Sequence, residues 1–561
     1  MKARLTFAIF TFTALFVSSA QLQANQTVDT WTGGGLTNNW SEPANWSPAG
    51  NQPPLSNDYL HFGGSVRPAP VNDFFPNFSV GQIIFNSGAA PFTLSGFSVG
   101  FFNINPLPNL IQNNSTSLQT INFANNGGVF GSGIVTQFPT SIVANSGNLL
   151  IQSNIEIENF GANATLTFDG SQTTTVTGII RDAFIAAGIT KNGSGTLVLA
   201  RNNVFSGPVN INNGTVQVDA PFALGQGDTN IIGILPNFAV LETFGPNPFF
   251  FFVGNNFTIL GGLPFNILQM KVGGLIPGFT SDHMTTGNNA NLSGELFVHK
   301  INNFMPLVGD QVNIISTGGV VNGTFQSVQS DFPGLVRPIA IYFAQAVDVR
   351  FVLSATFLSQ ALTFNQQQVA HAIDLAFASL CLTPAQRAQL GSIPIAFLPA
   401  AFDLIAPEEF GALYEMSFSR AVMQSSNLQH RMDQVRANAD PNCGPIVQVN
   451  PVEGKDKNMT MPPAPAPAPR FNTFATGSGE YVAVHDQDAN AQGYRITNGT
   501  FLAGADYSFL NMFAIGVYGG YAGSEAELNN RGQLISDGGQ VGGYATFFTH
   551  GFYVQGAGGA G

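Results

Sequence analysis

The sequence predicts an all-β protein with a short helical junction, and three observations lead to that fold class. The composition is poor in charge, with 9% charged residues against about 25% in ordinary domains, and it is rich in turn formers, with 63 glycines in 561 residues. Between residues 55 and 355, short runs of alternating apolar residues recur between Gly/Asn turns. Helical periodicity is confined to residues 362–437.

The N-terminus has the pattern of a secretory signal peptide. Lys2 and Arg4 precede an apolar stretch at residues 5–17, and small residues follow it. We therefore predict a signal peptide at 1–20, cleaved after Ala20. No later stretch reaches about 20 apolar residues without turn formers, so any membrane embedding must come from β structure.

The segment 25–361 is repetitive and opens with all three tryptophans of the chain, Trp31, Trp40 and Trp46. We predict that these rings form a cap on the end of a larger β core, and the alternative is an exposed carbohydrate-binding face. The strands that follow fit either a sandwich or a parallel β-solenoid.

A helical segment is predicted at 362–437. Residues 366–382 have apolar positions at helical spacing, and a second helix starts with a capping box in which Thr383 is the cap and Gln386 the third residue. Another helix is predicted from residue 406 to about 437. Residues 438–470 are a Pro/Ala-rich linker, which favours an extended polyproline II conformation.

From residue 471 the apolar alternation returns, in longer runs. Phe513, Ile515 and Val517 alternate with small or polar residues. This pattern fits a tilted membrane strand or a soluble antiparallel sheet with one wet face, and the signal peptide favours the membrane. We therefore predict that these three side chains face lipid.

A motif at residues 191–225 carries a family resemblance. The segments KNGSGTLVL, NVFSG, NGTVQV and ALG follow one another here. They resemble the autotransporter-associated repeat, whose pattern is K-x-G-x-G-T-L-x-L, N-x-Y/F-x-G, x-G-T-L-x-V and A-L-G. Val216 stands where the family has Leu. The resemblance implies that the following residues are turn and strand positions of one solenoid rung: Gly193, Gly195, Leu197, Leu199, Gly207, Gly214, Val216, Leu224 and Gly225.

Other segments resemble the same family in the expected order. Residues 31–46 resemble the start of a passenger, 309–325 its closing rungs, 363–436 the helical junction and 471–561 the start of the autotransporter barrel. The resemblance implies a parallel β-solenoid (β-helix) passenger at 25–361, a short helical junction, a linker and the N-terminal part of an antiparallel outer-membrane β-barrel.

The segment 471–561 has room for roughly five membrane strands, whereas a closed barrel needs at least about eight. We therefore expect this sequence to be a piece of a longer protein, rather than a chain that completes its barrel with partners.

The resemblance implies an exported protein of a Gram-negative cell surface. It would pass through the periplasm, enter the outer membrane with the barrel assembly machinery, contact outer-membrane lipid and display its passenger. We expect the passenger to be an adhesin or structural protein with an unknown surface ligand. The alternatives are a surface hydrolase and a protein whose only active part is the translocator.

No catalytic motif is visible, so we expect no enzymatic activity and no cofactor or metal. The seven histidines are scattered, and the adjacent Asp282 and His283 are interpreted as a surface turn. A formal charge of -13 without a basic run argues against nucleic-acid binding. Cys381 and Cys443 form a disulfide or remain free thiols, and the sequence leaves both open.

Overall fold

The computed structural model describes residues 26–47, 52–102, 108–160, 165–234, 236–261, 266–379, 381–405, 409–439, 470–485, 493–528 and 532–561. The chain forms two units. One holds the chain up to Ala355 together with Leu382–Pro394, and the other holds Thr356–Cys381 and Ile395–Gly561. Ala20, Cys443 and nearly all of the predicted linker lie outside the described residues.

The first unit is a parallel β-solenoid of about 10 turns, in which successive strands of the chain lie on different sides and pair with the turns before and after. On the first side, thirteen strands form one sheet, parallel except for its first pair. In sheet order they are Trp46–Ser47, Val28–Trp31, Tyr59–Phe62, Gln82–Phe85, Asn109–Asn113, Thr140–Ala144, Leu166–Gly170, Ile189–Lys191, Val209–Ile211, Thr229–Ile231, Phe257–Ile259, Ala290–Leu292 and Val321–Gly323.

The second and third sides complete each turn. Eleven strands form the second side: Ser327–Ser330, Glu295–Lys300, Asn266–Val272, Ala239–Thr243, Gly214–Val218, Thr196–Leu199, Thr174–Val176, Leu149–Ile151, Gln119–Phe123, Thr93–Gly96 and Val71–Asn72. The third side has two five-stranded sheets: Ile180–Phe184, Ile155–Asn159, Ile134–Thr136, Val99–Phe101 and Phe78–Ser79, then Phe250–Val253, His283–Thr286, Gln311–Thr317, Ala346–Leu353 and Val336–Phe343.

Side chains alternate along a strand. In a three-residue strand the first and third side chains therefore point into the solenoid, and the middle one points outwards. In Ile189–Lys191, for example, Ile189 is buried whereas Thr190 lies at the surface. Each buried side chain packs on its register partner in the next turn, as Leu197 does on Val216. The buried residues form one continuous apolar core, so the parallel solenoid is confirmed and the sandwich alternative is wrong.

Both ends of the solenoid are closed by antiparallel pairs. At the first end the three tryptophans are buried, with the Trp31 and Trp46 rings edge to face at 5.1 Å and the Trp46 Nε1 donating to the Trp40 carbonyl at 2.8 Å. The predicted cap is therefore confirmed, and the exposed carbohydrate-binding face is wrong. At the other end, Val336–Phe343 and Ala346–Leu353 form a hairpin that pairs antiparallel with Gln311–Thr317.

After residue 355 the described part of the chain contains four α-helices: α1 Phe364–Ala378, α2 Pro384–Ser392, α3 Leu398–Ile405 and α4 Glu409–Ala439. The capping box at Thr383 and Gln386 is confirmed. The prediction that the first helix extends to residue 382 is wrong: α1 starts earlier, on a capping box of Thr363 and Gln366, and its C-cap is Ser379. Three short 3-10 turns occupy Pro43–Asn45, Leu358–Gln360 and Ile395–Phe397.

Among the described residues, no single helix has both the length and the hydropathy of a membrane span. The pair Pro384–Ser392 and Ile395–Ile405, bent by 94°, meets the length and composition of a span only when its two parts are taken together.

The C-terminal sheet consists of five antiparallel strands in chain order: Phe471–Val484, Tyr494–Phe509, Phe513–Leu528, Gly532–Thr549 and Phe552–Ala560. Each pairs with its neighbour without a register break. These strands are long, at up to 18 residues, compared with three to eight in most of the solenoid. The fold class predicted from the sequence is therefore confirmed.

Candidate functional site: the C-terminal sheet and the solenoid faces

One face of the C-terminal sheet packs on α4 through a row of polar contacts. The Arg431 guanidinium donates twice to Asp506 Oδ2, at 2.7 and 3.0 Å, and the Tyr544 hydroxyl donates to the same oxygen at 2.7 Å. One turn earlier on α4, Asn427 donates to the hydroxyls of Ser478 and Thr500, at 2.7 and 3.1 Å. The Asp506 side chain is fully buried, so these bonds replace the water that its carboxylate has lost.

Two further arginines extend this row along α4. Arg420 donates to the Ser536 hydroxyl at 2.9 Å and to the Ala522 carbonyl at 3.1 Å. Near the end of the helix, Arg436 donates to the Gln555 side chain at 2.7 Å. The helix therefore contacts all five strands through side chains, and this face of the sheet is polar where it meets the helix.

The opposite face of the same sheet is apolar and exposed. Phe513, Ile515 and Val517 are 38%, 49% and 66% exposed, whereas Ala514 between them is fully buried towards the helix side. Large apolar side chains also face outwards on the other strands: Phe471, Tyr481, Phe501, Ile535, Val541, Phe552 and Val554. Exposed apolar side chains therefore lie on all five strands of this face, and grouped exposure of this kind marks a surface that contacts a partner or a membrane.

The motif at 191–225 builds turns of the solenoid. Leu197 and Leu199 lie in Thr196–Leu199, Val216 lies in Gly214–Val218, and these three and Leu224 are buried. Close packing of neighbouring turns explains the glycines: a Cβ on Gly193 or Gly195 would lie 2.1 Å from a backbone oxygen of the turn below. A Cβ on Gly207 would meet the Ala187 backbone, while Gly214 and Gly225 have φ of 73° and 68°.

Comparison with protein families gives two matches. Residues 473–561 match the autotransporter beta-domain, and residues 189–218 match the passenger-associated-transport-repeat. These two matches support an autotransporter. The matched domain is one of the outer membrane and cell surface of Gram-negative bacteria, and it secretes a passenger. No curated protein shows significant similarity to this chain.

Lys191, the first residue of the repeat, has a structural role that the sequence did not reveal. Its side chain is buried inside the solenoid, where the ammonium donates to the Gly193 and Asn213 carbonyls. Burial lowers the pKa of this ammonium to about 8, against an opposing effect of Asp169. Lys271 has the same structural role, since its ammonium donates to the Thr243 carbonyl at 2.9 Å. A lysine in an inward strand position is the signal that could have indicated these contacts.

The pair Asp282–His283 is not a surface turn, so that interpretation is wrong. Asp282 is fully buried and accepts bonds from the Phe249 and Lys271 amides, at 2.7 and 2.8 Å, and from the Thr243 hydroxyl at 2.8 Å. Burial raises the pKa of Asp282 in spite of these bonds. The His283 ring stacks on Phe250 and its Nδ1 lies 3.2 Å from the Asn313 carbonyl, so the printed contacts of the histidine are structural.

The outer surface of the thirteen-stranded sheet carries a ladder of neutral polar side chains, which we call the amide–hydroxyl ladder. Its members are register partners on eight successive strands: Ser141, Thr167, Thr190, Asn210, Asn230, Thr258, Asn291 and Asn322. Asn230 donates to Asn210 at 2.9 Å and Asn322 to Asn291 at 2.9 Å. The ladder presents donors and acceptors without charge, at about 4.8 Å per rung.

Two aspartates beside glycines stabilise turns. Asp228 accepts a bond from the Asn256 amide at 3.0 Å, and Asp310 accepts one from the Leu307 amide at 2.8 Å. Cys381 is exposed. Within the described residues, no group of three or more His, Cys, Asp and Glu side chains is arranged to hold a metal ion.

Proposed function

We propose that this autotransporter carries its own β-solenoid through the periplasm and across the outer membrane, and displays it as an adhesin or structural surface protein. The apolar outer face of the C-terminal sheet is the observation that carries the proposal. Side chains such as Ile515 and Val517 are costly to leave in water, at roughly 25 cal/mol per Å² of apolar surface, and lipid removes that cost. Outer-membrane lipid is therefore the partner of this face, and the barrel assembly machinery is the expected route of insertion.

The linker length supports crossing of the membrane. α4 ends at Ala439. Residues 440–470, if extended at about 3.3 Å each, would cover up to roughly 100 Å, and the bilayer with its headgroups is about 40–45 Å thick. Stacking of turns outside the cell would then oppose back-sliding, because each turn is stable only on its neighbour.

An adhesive role is supported by the amide–hydroxyl ladder. A rigid row of eight neutral side chains offers regularly spaced hydrogen bonds to a surface ligand, and it carries no charge that an acidic cell envelope would repel. The hydrolase alternative gains no support among the described residues, where Asp282 and the buried Glu156 are occupied by backbone amides.

The test is protease accessibility on intact cells that produce the protein. We expect added protease to digest the solenoid while a periplasmic marker stays intact. Protection of the solenoid until the outer membrane is opened would contradict display. The matched control replaces the outward Ile515 and Val517 by Asp, which should abolish display because two carboxylates would enter lipid.

The adhesive part is tested separately, by the retention of displaying cells on glass under flow. Asn210→Lys with Asn230→Lys should change retention several-fold, whereas Thr215→Lys on the eleven-stranded sheet should not. Equal retention of all variants would exclude the ladder as the adhesive face. It would not contradict display of the solenoid.

A further inference from the structure

One loop of the solenoid, at residues 273–281, exposes large apolar side chains at its tip. Leu275, Ile276 and Phe279 are 40%, 58% and 81% exposed. The loop contains no charged residue, and Asp282, which follows it, is fully buried. The side chains that the loop presents most openly are therefore apolar, and they lie within five residues of one another.

The backbone amides at the tip are bonded within the loop itself. The Ile276 carbonyl accepts bonds from the amides of residues 279–281, at 2.9–3.3 Å. The Thr280 hydroxyl accepts from the Ile276 amide at 2.8 Å, and the Gly278 amide donates to the carbonyl three residues later at 2.7 Å. Pro277 has no amide hydrogen, so every amide from residue 276 to 281 has a partner inside the loop. Such a tip can enter an apolar medium without leaving an amide unpaired.

The loop lies on a row of aromatic side chains. A Cβ placed on Gly278 would be 3.2 Å from the Cβ of Phe250. The ring centroids of Phe250 and Phe252 are 4.7 Å apart, and those of Phe252 and the 47% exposed Phe222 are 4.6 Å apart. The segment 244–253, which carries two of these rings, also has no charged residue. These contacts join the tip and the rings into one uncharged surface.

We propose that this loop inserts its tip into the surface of a zwitterionic phospholipid bilayer. Peripheral attachment to a membrane becomes stronger with the apolar area that leaves water, and transfer of one Leu, Ile or Phe side chain changes partitioning by about tenfold or more. The absence of charge fits the acyl region, where a charged side chain is costly. The attachment concerns the surface of the solenoid alone and does not depend on export.

A protein groove and an anionic membrane fit this loop less well. Protein interfaces carry about one hydrogen bond per 100–200 Å², whereas the amides of residues 276–281 are already bonded within the loop. An anionic membrane attracts clusters of Lys and Arg, whereas residues 273–281 contain no cation and the chain has a net charge of -13. A zwitterionic bilayer requires neither amide donors nor cations from the tip.

The test uses the full chain in a lipid nanodisc, with a fluorophore attached at Leu275→Cys in a background of Cys381→Ser and Cys443→Ser. Phosphatidylcholine vesicles that contain nitroxide-labelled lipid are then added, so that the quencher enters with the second bilayer only. We expect these vesicles to quench the fluorophore. The variant Ile276→Asp/Phe279→Asp should raise the vesicle concentration for half-maximal quenching by at least about tenfold. Vesicles rich in phosphatidylserine should require a higher concentration than phosphatidylcholine vesicles.

Three controls separate insertion of the tip from misfolding and from adsorption of the whole solenoid. The matched variant Leu118→Asp/Leu260→Asp places two charges at apolar positions that are 49% and 48% exposed elsewhere on the solenoid, and it should behave like the unsubstituted labelled chain. Phe279→Trp changes an 81% exposed ring and should bind at least as tightly, because Trp favours the membrane interface. A fluorophore at Asn322→Cys should stay unquenched.

Four results would overturn the proposal. They are a label at residue 275 that no concentration of phosphatidylcholine vesicles quenches, equal quenching of Ile276→Asp/Phe279→Asp, an equal loss in Leu118→Asp/Leu260→Asp, and equal quenching of the label at residue 322. Stronger binding to phosphatidylserine than to phosphatidylcholine would also contradict a zwitterionic surface as the partner. Failure of display on cells would not change any of these outcomes.

Discussion

At the residue scale, the buried polar side chains are what the sequence did not disclose. Lys191 ends a strand whose alternation suggested an apolar interior, and Asp282 precedes a strand where the sequence suggested a surface turn, yet both are buried and bonded to backbone groups. Alternation predicts which way a side chain points. It does not predict which backbone carbonyl or amide of a neighbouring turn needs a hydrogen bond from that side chain.

Lys191 gives a prediction on pH dependence. Its pKa of about 8 in the fold lies below its ordinary value of 10.5, so the folded state binds fewer protons than the unfolded state between these values. The free energy of unfolding should therefore rise with pH from about 8 to 10.5, and Lys271, whose pKa burial also lowers, acts in the same direction. Chemical denaturation of wild type, Lys191→Met and the half-exposed control Lys300→Met at several pH values measures this. If the free energy of unfolding of Lys191→Met rose with pH as steeply as that of the wild type, Lys191 would not be the group that causes the rise.

Asp29, in the first strand, predicts the opposite dependence at lower pH. Burial, a hydrogen bond with Asp58 and the charge of Asp58 raise the pKa of Asp29 to about 7. The folded state then holds a proton that the unfolded state loses near pH 4, so the stability should fall as pH rises from about 4 to 7. Asp29→Asn should remove this fall and raise the melting temperature at pH 8. A melting temperature lowered equally at pH 4 and pH 8 would show that Asp29 acts by packing alone.

At the scale of the element, the sequence predicted the strands, the caps and the capping box of α2, because each depends on residues close together in the chain. It missed α3 and the end of α1, where a helical pattern continued past Ser379. The segment boundaries proposed at 361, 437 and 470 stay predictions. The side chains that join one turn to the next could not be predicted, since their partners lie some twenty residues away.

Asn203 provides a test at this scale. It lies in the N-x-F-x-G part of the repeat, and its side chain accepts from the Ile180 amide at 2.8 Å and donates to the Ala223 carbonyl at 2.6 Å. Asn203→Ala would leave two buried backbone groups without partners, at about 1–3 kcal/mol each. We expect a loss of about 2–5 kcal/mol in the free energy of unfolding. The control Asn212→Ala, on a half-exposed side chain that bonds Asn192, should lose less than about 1 kcal/mol, and equal losses would contradict this role.

For the C-terminal unit, the small and polar side of each strand indicated a second face, but not the helix that covers it. Asp506 lies in the stretch 471–561 that resembles the start of the autotransporter barrel, and its role became visible only with Arg431 and Tyr544 beside it. We predict that Arg431→Gln weakens the packing of α4 on the sheet by about 3–5 kcal/mol, because the buried Asp506 carboxylate then lacks a charged partner. Faster proteolysis of α4 would show this, whereas Arg495→Gln on an exposed position should have no effect. Equal proteolysis rates in both variants would argue against the pair as the anchor.

At the scale of the whole molecule, the account depends on which environment surrounds the outer face of the C-terminal sheet. A nitroxide label read by electron paramagnetic resonance reports this directly in outer-membrane vesicles. Labels would be placed at Ile515→Cys and Val517→Cys, in a chain with Cys381→Ser and Cys443→Ser, and at Asn322→Cys on the solenoid as the aqueous control. We predict that the labels at 515 and 517 collide often with oxygen and rarely with a water-soluble nickel chelate, and that the label at 322 does the reverse. Labels at 515 and 517 as open to the nickel chelate as the label at 322 would contradict a lipid-facing sheet.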